Sequence, residues 1–321
     1  MRFRSQNNHQ LSQGNTREGK RTHRGKRNNN RHKVDKLKIL TINIRGIKSK
    51  TNTLENTLLT HGTHIAGITE THLSKGEKIN IKGYKWVGKE RKDKQGGGIG
   101  FLIRNDIANL TETTEPNPNH STETLWLKLK TRNPMHIGIT YGKQENTQVE
   151  EIEEQFNELT TQINQLKTKG EVILMGDFNA KVNIDRPTYR QEESRNGTKL
   201  ETMINNTQMV IINTKETHTG TWTRVNRNNP QEKSIIDYIL ATQNTAKHII
   251  ESMTDDIDLY IIKGKNRTDH NVITATIRTD TKQATKKIKR WKRGTGEQWD
   301  QFNKQMTSEC NKLNEITKNI P

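Results

Sequence analysis

Asp177 and Asn179 stand two residues apart where the apolar run Val172-Ile173-Leu174-Met175 stops at Gly176. Side chains two apart on an extended chain leave on the same side. Both therefore reach one spot, while Phe178 between them turns back toward the core. A carboxylate beside a carboxamide is suited to orienting a water and holding a phosphate oxygen or oxyanion. Asp and Asn after a glycine are also ordinary turn residues, so the rest of the chain has to decide between the two readings. Asn43, Glu70, Tyr141, Asp237, Asp269 and His270 repeat the pattern, since nearly all fall at or beside the end of an apolar stretch. Polar groups placed repeatedly at strand ends are what a crevice along a sheet edge requires. Plainer readings stand beside this one: Glu70 as a solvated strand terminus, Tyr141 as a rim aromatic, Asp269-His270 as a loop pair capping the next strand. Asp237 resists them best. It lies in the apolar stretch Ser234–Leu240, expected as a single strand with Asp237 in its middle. Burying that carboxylate without a partner costs roughly several kcal/mol. His270 is the natural partner, and such a pair fixes the imidazole tautomer and favours its charged form.

The elements that would carry these groups are legible as patterns. Alternation over Leu37–Asn43 predicts a strand, and spaced leucines at 54, 58 and 59 predict a helix. His64–Glu70 reads as a second strand and Gly96–Ile103 as a third. The glycines there mark a strand start with close backbone approach, because no Gly-Lys-Ser/Thr and helix follow them. Leu125–Leu129 and Met135–Tyr141 form a hairpin around residues 131–134. Val149, Ile152, Phe156, Leu159, Ile163 and Leu166 recur at helical spacing, and Lys169-Gly170 closes that helix before the strand ending at Asp177. A shorter helix is expected at Leu200–Ile204, and strands at Met209–Asn213 and Val272–Ile277. Strands interleaved with few helices suggest an α/β architecture of two packed sheets with helices outside.

Composition narrows the partners. The 321 residues carry a formal charge of +18 and only 28% apolar residues. That balance points to a polyanion. That polyanion is nucleic acid or an anionic membrane surface. No apolar run approaches the ~20 residues that span a bilayer, so membrane association would have to be peripheral, and the partner expected is DNA with no membrane. Cys310 is the sole cysteine, which excludes an intramolecular disulfide and a cysteine-rich zinc site and suits a reducing compartment. Residues 1–35 are expected to be a basic disordered tail. Residues 36–278 form the folded domain, and 279–321 are a basic linker or helical tail with scattered aromatics.

The motifs Thr41-Ile42-Asn43, Thr69-Glu70, Thr140-Tyr141-Gly142, Gly176-Asp177-Phe178-Asn179, Ile236-Asp237-Tyr238 and Asp269-His270, in this order, resemble the endonuclease/exonuclease/phosphatase superfamily. Within it they most resemble the apurinic-like endonuclease domain of non-LTR (LINE-type) retrotransposons. Gly96–Phe101, Tyr141-Gly142-Lys143-Gln144, Arg195-Asn196-Gly197, Ile211–Thr214 and Thr221-Trp222-Thr223 also look like that branch. The resemblance implies a four-layer α/β/β/α sandwich of two mixed sheets flanked by helices, DNase I-like, and metal-dependent phosphodiester hydrolysis. It implies Mg²⁺, with Mn²⁺ as an alternative, held by Glu70 with Asn43 and Asp269 in or near its shell. Asp177 and Asn179 would position water and a phosphate oxygen. His270, oriented by Asp237, would bind the phosphate, and Tyr141 would assist there or at the leaving group. Arg45, Lys143 and Arg224 are the cations expected against double-stranded DNA. Arg45 departs from the pattern, because some relatives carry Asp or Asn at that place; an arginine could bind phosphate or weaken metal affinity.

The expected activity is nicking of DNA that leaves a 3′-hydroxyl for target-primed reverse transcription, with a reverse transcriptase as domain or partner. The location inferred from that substrate is the nucleus, otherwise the cytoplasm. The alternatives are a relic that binds DNA without cutting, an enzyme for abasic sites, and a phosphoesterase for small phosphoesters, which would not need so basic a surface.

Overall fold

The computed structural model describes residues 35–89, 96–117, 122–131, 133–186, 188–226, 228–255, 268–279 and 296–318. The expectations for 1–34 and for the basic stretch 280–295 lie outside these residues. The fold is two mixed sheets face to face. The first contains β1 (Lys36–Asn43), β2 (Ile65–Thr69), β3 (Tyr84–Lys89), β4 (Ile99–Arg104), β12 (His218–Thr219), β16 (Ile249–Thr254) and β17 (Ile273–Arg278), in the order β12-β16-β17-β1-β2-β4-β3. The second contains β5 (Thr111–Thr114), β6 (Thr124–Leu129), β7 (Met135–Tyr141), β8 (Glu171–Asp177), β11 (Met209–Ile211) and β15 (Asp237–Thr242), in the order β11-β15-β8-β7-β6-β5. Two small hairpins, β9 (Ile184–Arg186) with β10 (Tyr189–Gln191) and β13 (Arg224–Val225) with β14 (Lys233–Ser234), stand apart from them.

Three apolar clusters explain the layers. Ile39, Ile65, Phe101 and Ile273 of the first sheet meet Leu127, Ile139, Met175 and Ile239 of the second. Helix α1 (Thr51–His61) buries Leu54 and Leu58 on the outer face of the first sheet. Helices α2 (Val149–Lys167) and α3 (Arg195–Thr207) cover the outer face of the second, through Ile152, Phe156, Leu159, Ile163 and Leu200. This is the four-layer α/β/β/α sandwich. Val149 and Leu59 are exposed rather than core residues, so the buried stripe of each helix is narrower than the spacing suggested. A short helix, α4 (Gln243–Lys247), joins β15 to β16, and the polar tail contains α5 (Gly296–Lys318).

Three expectations need correction. The strand expected at Gly96 starts at Ile99, because Gly96, Gly97 and Gly98 all have positive φ and leave the extended region. Close approach is nevertheless the reason for Gly98: a Cβ there would lie 2.5 Å from Thr71 Oγ1. The strand expected across Ser234–Leu240 is broken at Ile235-Ile236, so Asp237 is the first residue of β15 and not its middle. The strand expected to run to Asn213 ends at Ile211.

Candidate active site

The register brings the chemical residues to one end of the sandwich. Tyr141 and Asp177 close the parallel neighbours β7 and β8 as paired residues, and Asp237 opens β15 directly opposite Asp177. In the facing sheet, Asn43 closes β1 opposite Thr69, so Glu70 follows at the same edge. The segment Thr268–Asn271 enters β17 there and is stapled from both sides. Thr268 Oγ1 donates to the Asn43 carbonyl (2.6 Å), and Asn271 donates to the Thr223 carbonyl through its backbone N–H (2.7 Å). Thr223 Oγ1 accepts the N–H groups of Ile236 and Asp237 at 3.0 and 3.1 Å, which supplies the partner that the broken strand lacks.

The cleft, about 850 Å³, is lined by Arg45, Glu70, Tyr141, Asp177, Asn179, Arg224, Asp269 and His270, together with Lys181, Arg195 and neighbours from residues 144–146 and 234–236. Its floor is a hydrogen-bond chain. The Asn43 amide nitrogen lies 2.9 Å from Glu70 Oε1 and 2.9 Å from Asp177 Oδ2, donating one N–H to each. Its oxygen accepts the Arg45 N–H at 3.2 Å. The opposite amide orientation would set its oxygen against two carboxylates. The Tyr141 hydroxyl donates to Glu70 Oε1 (2.8 Å), and the Asn179 N–H donates to Asp177 Oδ1 (2.9 Å). His270 Nδ1 meets both Asp237 oxygens at 3.0 and 2.9 Å, leaving Nε2 3.8 Å from Asp177 Oδ2.

These contacts set the charges. Burial pushes the Glu70 carboxyl upward, but the bonds from Asn43 and Tyr141 outweigh it and hold the group below the ordinary carboxylate range. Burial, then the neighbouring Asp237, pushes Asp177 well above that range. Burial would lower His270, yet Asp237 and Asp177 overcome this and raise it to about 9. Burial and the Glu70 and Asp177 charges push the Tyr141 hydroxyl far up, so it stays a donor. One end of the cleft therefore has an ionised acid, a carboxyl poised to take a proton, and a cationic imidazole.

Backbone strain gathers at the same place. Arg45, Glu70, His72 and Asn179 all adopt left-handed φ values between 47° and 52°. Each such residue costs on the order of 1–3 kcal/mol and persists where surrounding structure fixes it. Here Gly46 N–H donates to the Glu70 carbonyl (2.7 Å) and His72 N–H to the Gly97 carbonyl (2.9 Å). The buried Lys50 ammonium donates to the carbonyls of Ile44, Arg45 and Gly46 (2.8, 2.5 and 3.0 Å).

Asn43 and Asp237 lie behind the cleft surface, holding Glu70, Asp177 and His270. Lys143 does not line the cleft, and its ammonium pairs with Glu151 at 2.5 Å. Sequence reasoning did not single out Lys50 or His72. His72 Nε2 stands 3.4 Å from Glu70 Oε2, and its place two residues after Glu70 was the available signal.

The donors suit a hard divalent cation at Glu70, which is ionised and faces the cleft among oxygen donors. Asp177, Asp237 and His270 also offer ligand atoms within 4.8 Å of one another. Both Asp237 oxygens are engaged by an imidazole N–H, however, so that trio reads better as a proton-holding network than as a cation cage.

Residues 135–274 match the family described as endonuclease-reverse transcriptase. The chain carries the endonuclease/exonuclease/phosphatase fold. The AP endonuclease LMAP from Leishmania major has this fold at TM-score 0.60 and 14% identity, over 76% of this chain and 88% of that one. A Neisseria 3′ phosphatase, NExo (D146N), bound to a product DNA hairpin, is similar at TM-score 0.59 and 16% identity, over 74% and 98%. The endonuclease domain of TRAS1, a telomere-specific non-LTR retrotransposon, is similar at TM-score 0.55 and 16% identity, over 76% and 100%. No curated protein sequence matches the chain. The superfamily resemblance carried by the strand-end motifs agrees with both the matched family and the fold.

Proposed function

We propose that this chain is a metal-dependent endonuclease that nicks double-stranded DNA and leaves a 3′-hydroxyl from which a reverse transcriptase primes. The observation that carries the reading is the Asn43 amide joining Glu70 to Asp177, with the Asp237–His270 pair against the same carboxylate. Mg²⁺, or Mn²⁺ in its place, would be held by Glu70 and would polarise a phosphoryl oxygen and stabilise the leaving alkoxide. Asp177, with its raised proton affinity, takes the proton of the attacking water. Asn179, anchored through its amide on the Gly142 carbonyl (2.9 Å), presents its remaining N–H to a phosphate oxygen. His270 stays protonated at neutral pH, so its charge meets the negative charge building on the phosphate. Tyr141 donates at Glu70 and steadies that carboxylate. The +18 charge supports a nucleic acid over a small phosphoester. The family match and the similarity to the TRAS1 domain support a retrotransposon role. A nuclear location is part of the same proposal, inferred from the DNA substrate.

Nicking of supercoiled plasmid tests this, with Mg²⁺, with EDTA, and with Glu70→Ala and His270→Ala. Metal-dependent nicking lost in both variants supports it. Salt-sensitive DNA binding without nicking at any Mg²⁺ or Mn²⁺ concentration would replace it with a binding-only protein.

A further inference from the structure

Asp269 faces the cleft between two arginines. Its Oδ1 lies 3.5 Å from Arg45 Nη1 and its Oδ2 lies 3.1 Å from Arg224 Nε. The carboxylate is largely enclosed, at 10% side-chain exposure, while the arginines are 52% and 36% exposed. All three line the cleft beside His270. Each carboxylate oxygen is thus turned to a guanidinium, and the trio has a net charge of +1. A divalent cation is held best by carboxylate oxygens in a negative field, and each oxygen of this carboxylate is already turned to a guanidinium. Two guanidiniums converging on one side of a cleft are what a phosphate group requires. Arg224 spends only its inner nitrogen on Asp269, which leaves the outer two for a bidentate contact.

Both arms are held by the fold. Arg45 sits at φ 47° in the turn that Lys50 locks through three carbonyls. Arg224 bridges to His270, and the neighbouring Val225 N–H donates to the Asp269 carbonyl at 2.9 Å. The guanidiniums are therefore placed before any ligand arrives, which reduces the ordering cost of binding.

We propose that Arg45, Asp269 and Arg224 form a phosphate-binding fork, in which Asp269 positions two guanidiniums for a backbone phosphate of the bound DNA and takes no part in holding a cation. The inference deepens the endonuclease reading and rests on it. It assigns to Arg45, where an acid would favour a cation, the binding of an anion, and it leaves Glu70 as the carboxylate that holds the metal.

The test uses the full chain and two readouts besides nicking. Binding of a fluorescein-labelled 20-bp duplex in EDTA is followed by anisotropy across a salt series. Mn²⁺ binding is followed by electron paramagnetic resonance without DNA. Arg45→Ala and Arg224→Ala should each weaken DNA binding about 5- to 10-fold and reduce the salt slope by about one, with Mn²⁺ affinity unchanged. Asp269→Asn should keep Mn²⁺ affinity within about twofold of wild type, whereas Glu70→Gln should lose at least about tenfold. Asp269→Asn should also lower the effect of Arg224→Ala on DNA binding, because the positioning is already gone. Loss of Mn²⁺ binding in Asp269→Asn as severe as in Glu70→Gln would overturn the proposal. So would unchanged affinity and salt slope in both arginine variants, or a wild-type chain that binds no Mn²⁺. Wild-type plasmid nicking, run in parallel, decides the endonuclease reading separately: a chain that nicks but fails these comparisons loses only the fork.

Discussion

Replacing Asn43 by alanine probes the account at its most connected atom. The Asn43 side chain is buried, and its one nitrogen serves both Glu70 and Asp177 at 2.9 Å. Hydrogen bonds to charged groups contribute about 1.5–3 kcal/mol each. Glu70 keeps the Tyr141 hydroxyl and Asp177 keeps the Asn179 N–H, so the low end applies twice, giving a loss of about 3 kcal/mol. At 1.36 kcal/mol per factor of ten this is about 100-fold in the nicking rate. The loss should appear in single-turnover rates at saturating enzyme, because Asn43 is buried behind the cleft surface. Asn43→Asp should be worse, beyond about 1,000-fold, since it sets a third carboxylate against two others. Thermal unfolding and duplex anisotropy provide the controls. A folded Asn43→Ala variant that nicks within threefold of wild type would refute the reasoning.

Other consequences follow from the same geometry. Asp237→Asn removes the charge that keeps His270 protonated, so the alkaline fall of the nicking rate, expected near pH 9, should move to lower pH. A pH–rate profile identical to wild type would argue against a cationic role. The His270 value lies above the unfolded 6.5, so its contribution to stability is full below pH 6.5 and lost as pH rises through about 9. His218 has the opposite sign. It is buried between the Ser252 and Thr254 hydroxyls and lowered to about 4, burial being the main cause. Its protonation is therefore resisted by the fold, and stability should fall as pH drops from 6.5 toward 4, by up to about 3 kcal/mol. Urea titrations should show a shallower acid slope in His218→Gln; an unchanged slope would remove His218 from the explanation. Gly176→Ala places a Cβ 2.0 Å from the Thr140 carbonyl oxygen at φ 137°. A penalty of about 3 kcal/mol should lower Tm by about 6–12 °C, and an undiminished Tm would contradict the register of β7 on β8.

How much of this was legible depends on which forces act locally. The strand ending Gly176-Asp177, the stripe along α2 and the polar strand ends announce themselves, because periodicity and burial agree there. β3 did not: its centre, Trp86-Val87-Gly88, gives no clean alternation, and its role is to lay the Trp86 ring over Gly100. The break before Asp237 was hidden because Ile235 and Ile236 look like strand residues. Only the distant Thr223 hydroxyl, taking both backbone N–H groups, allows the chain to leave the ladder. Lys50 reads as a solvated cation in sequence, yet it is buried because three carbonyls of a strained turn need a donor. Pairing across 134 residues, as between Asn43 and Asp177, carries no local signal beyond the residue types themselves.

The most direct measurement concerns the product. Supercoiled plasmid incubated with the chain and Mg²⁺ is deproteinised and given to a DNA polymerase with labelled nucleotides, without any end-processing enzyme. The account expects open circles whose nicks are extended at once from 3′-hydroxyls, and none with Glu70→Ala. Absence of open circles, or nicks extended only after phosphatase treatment, would contradict it.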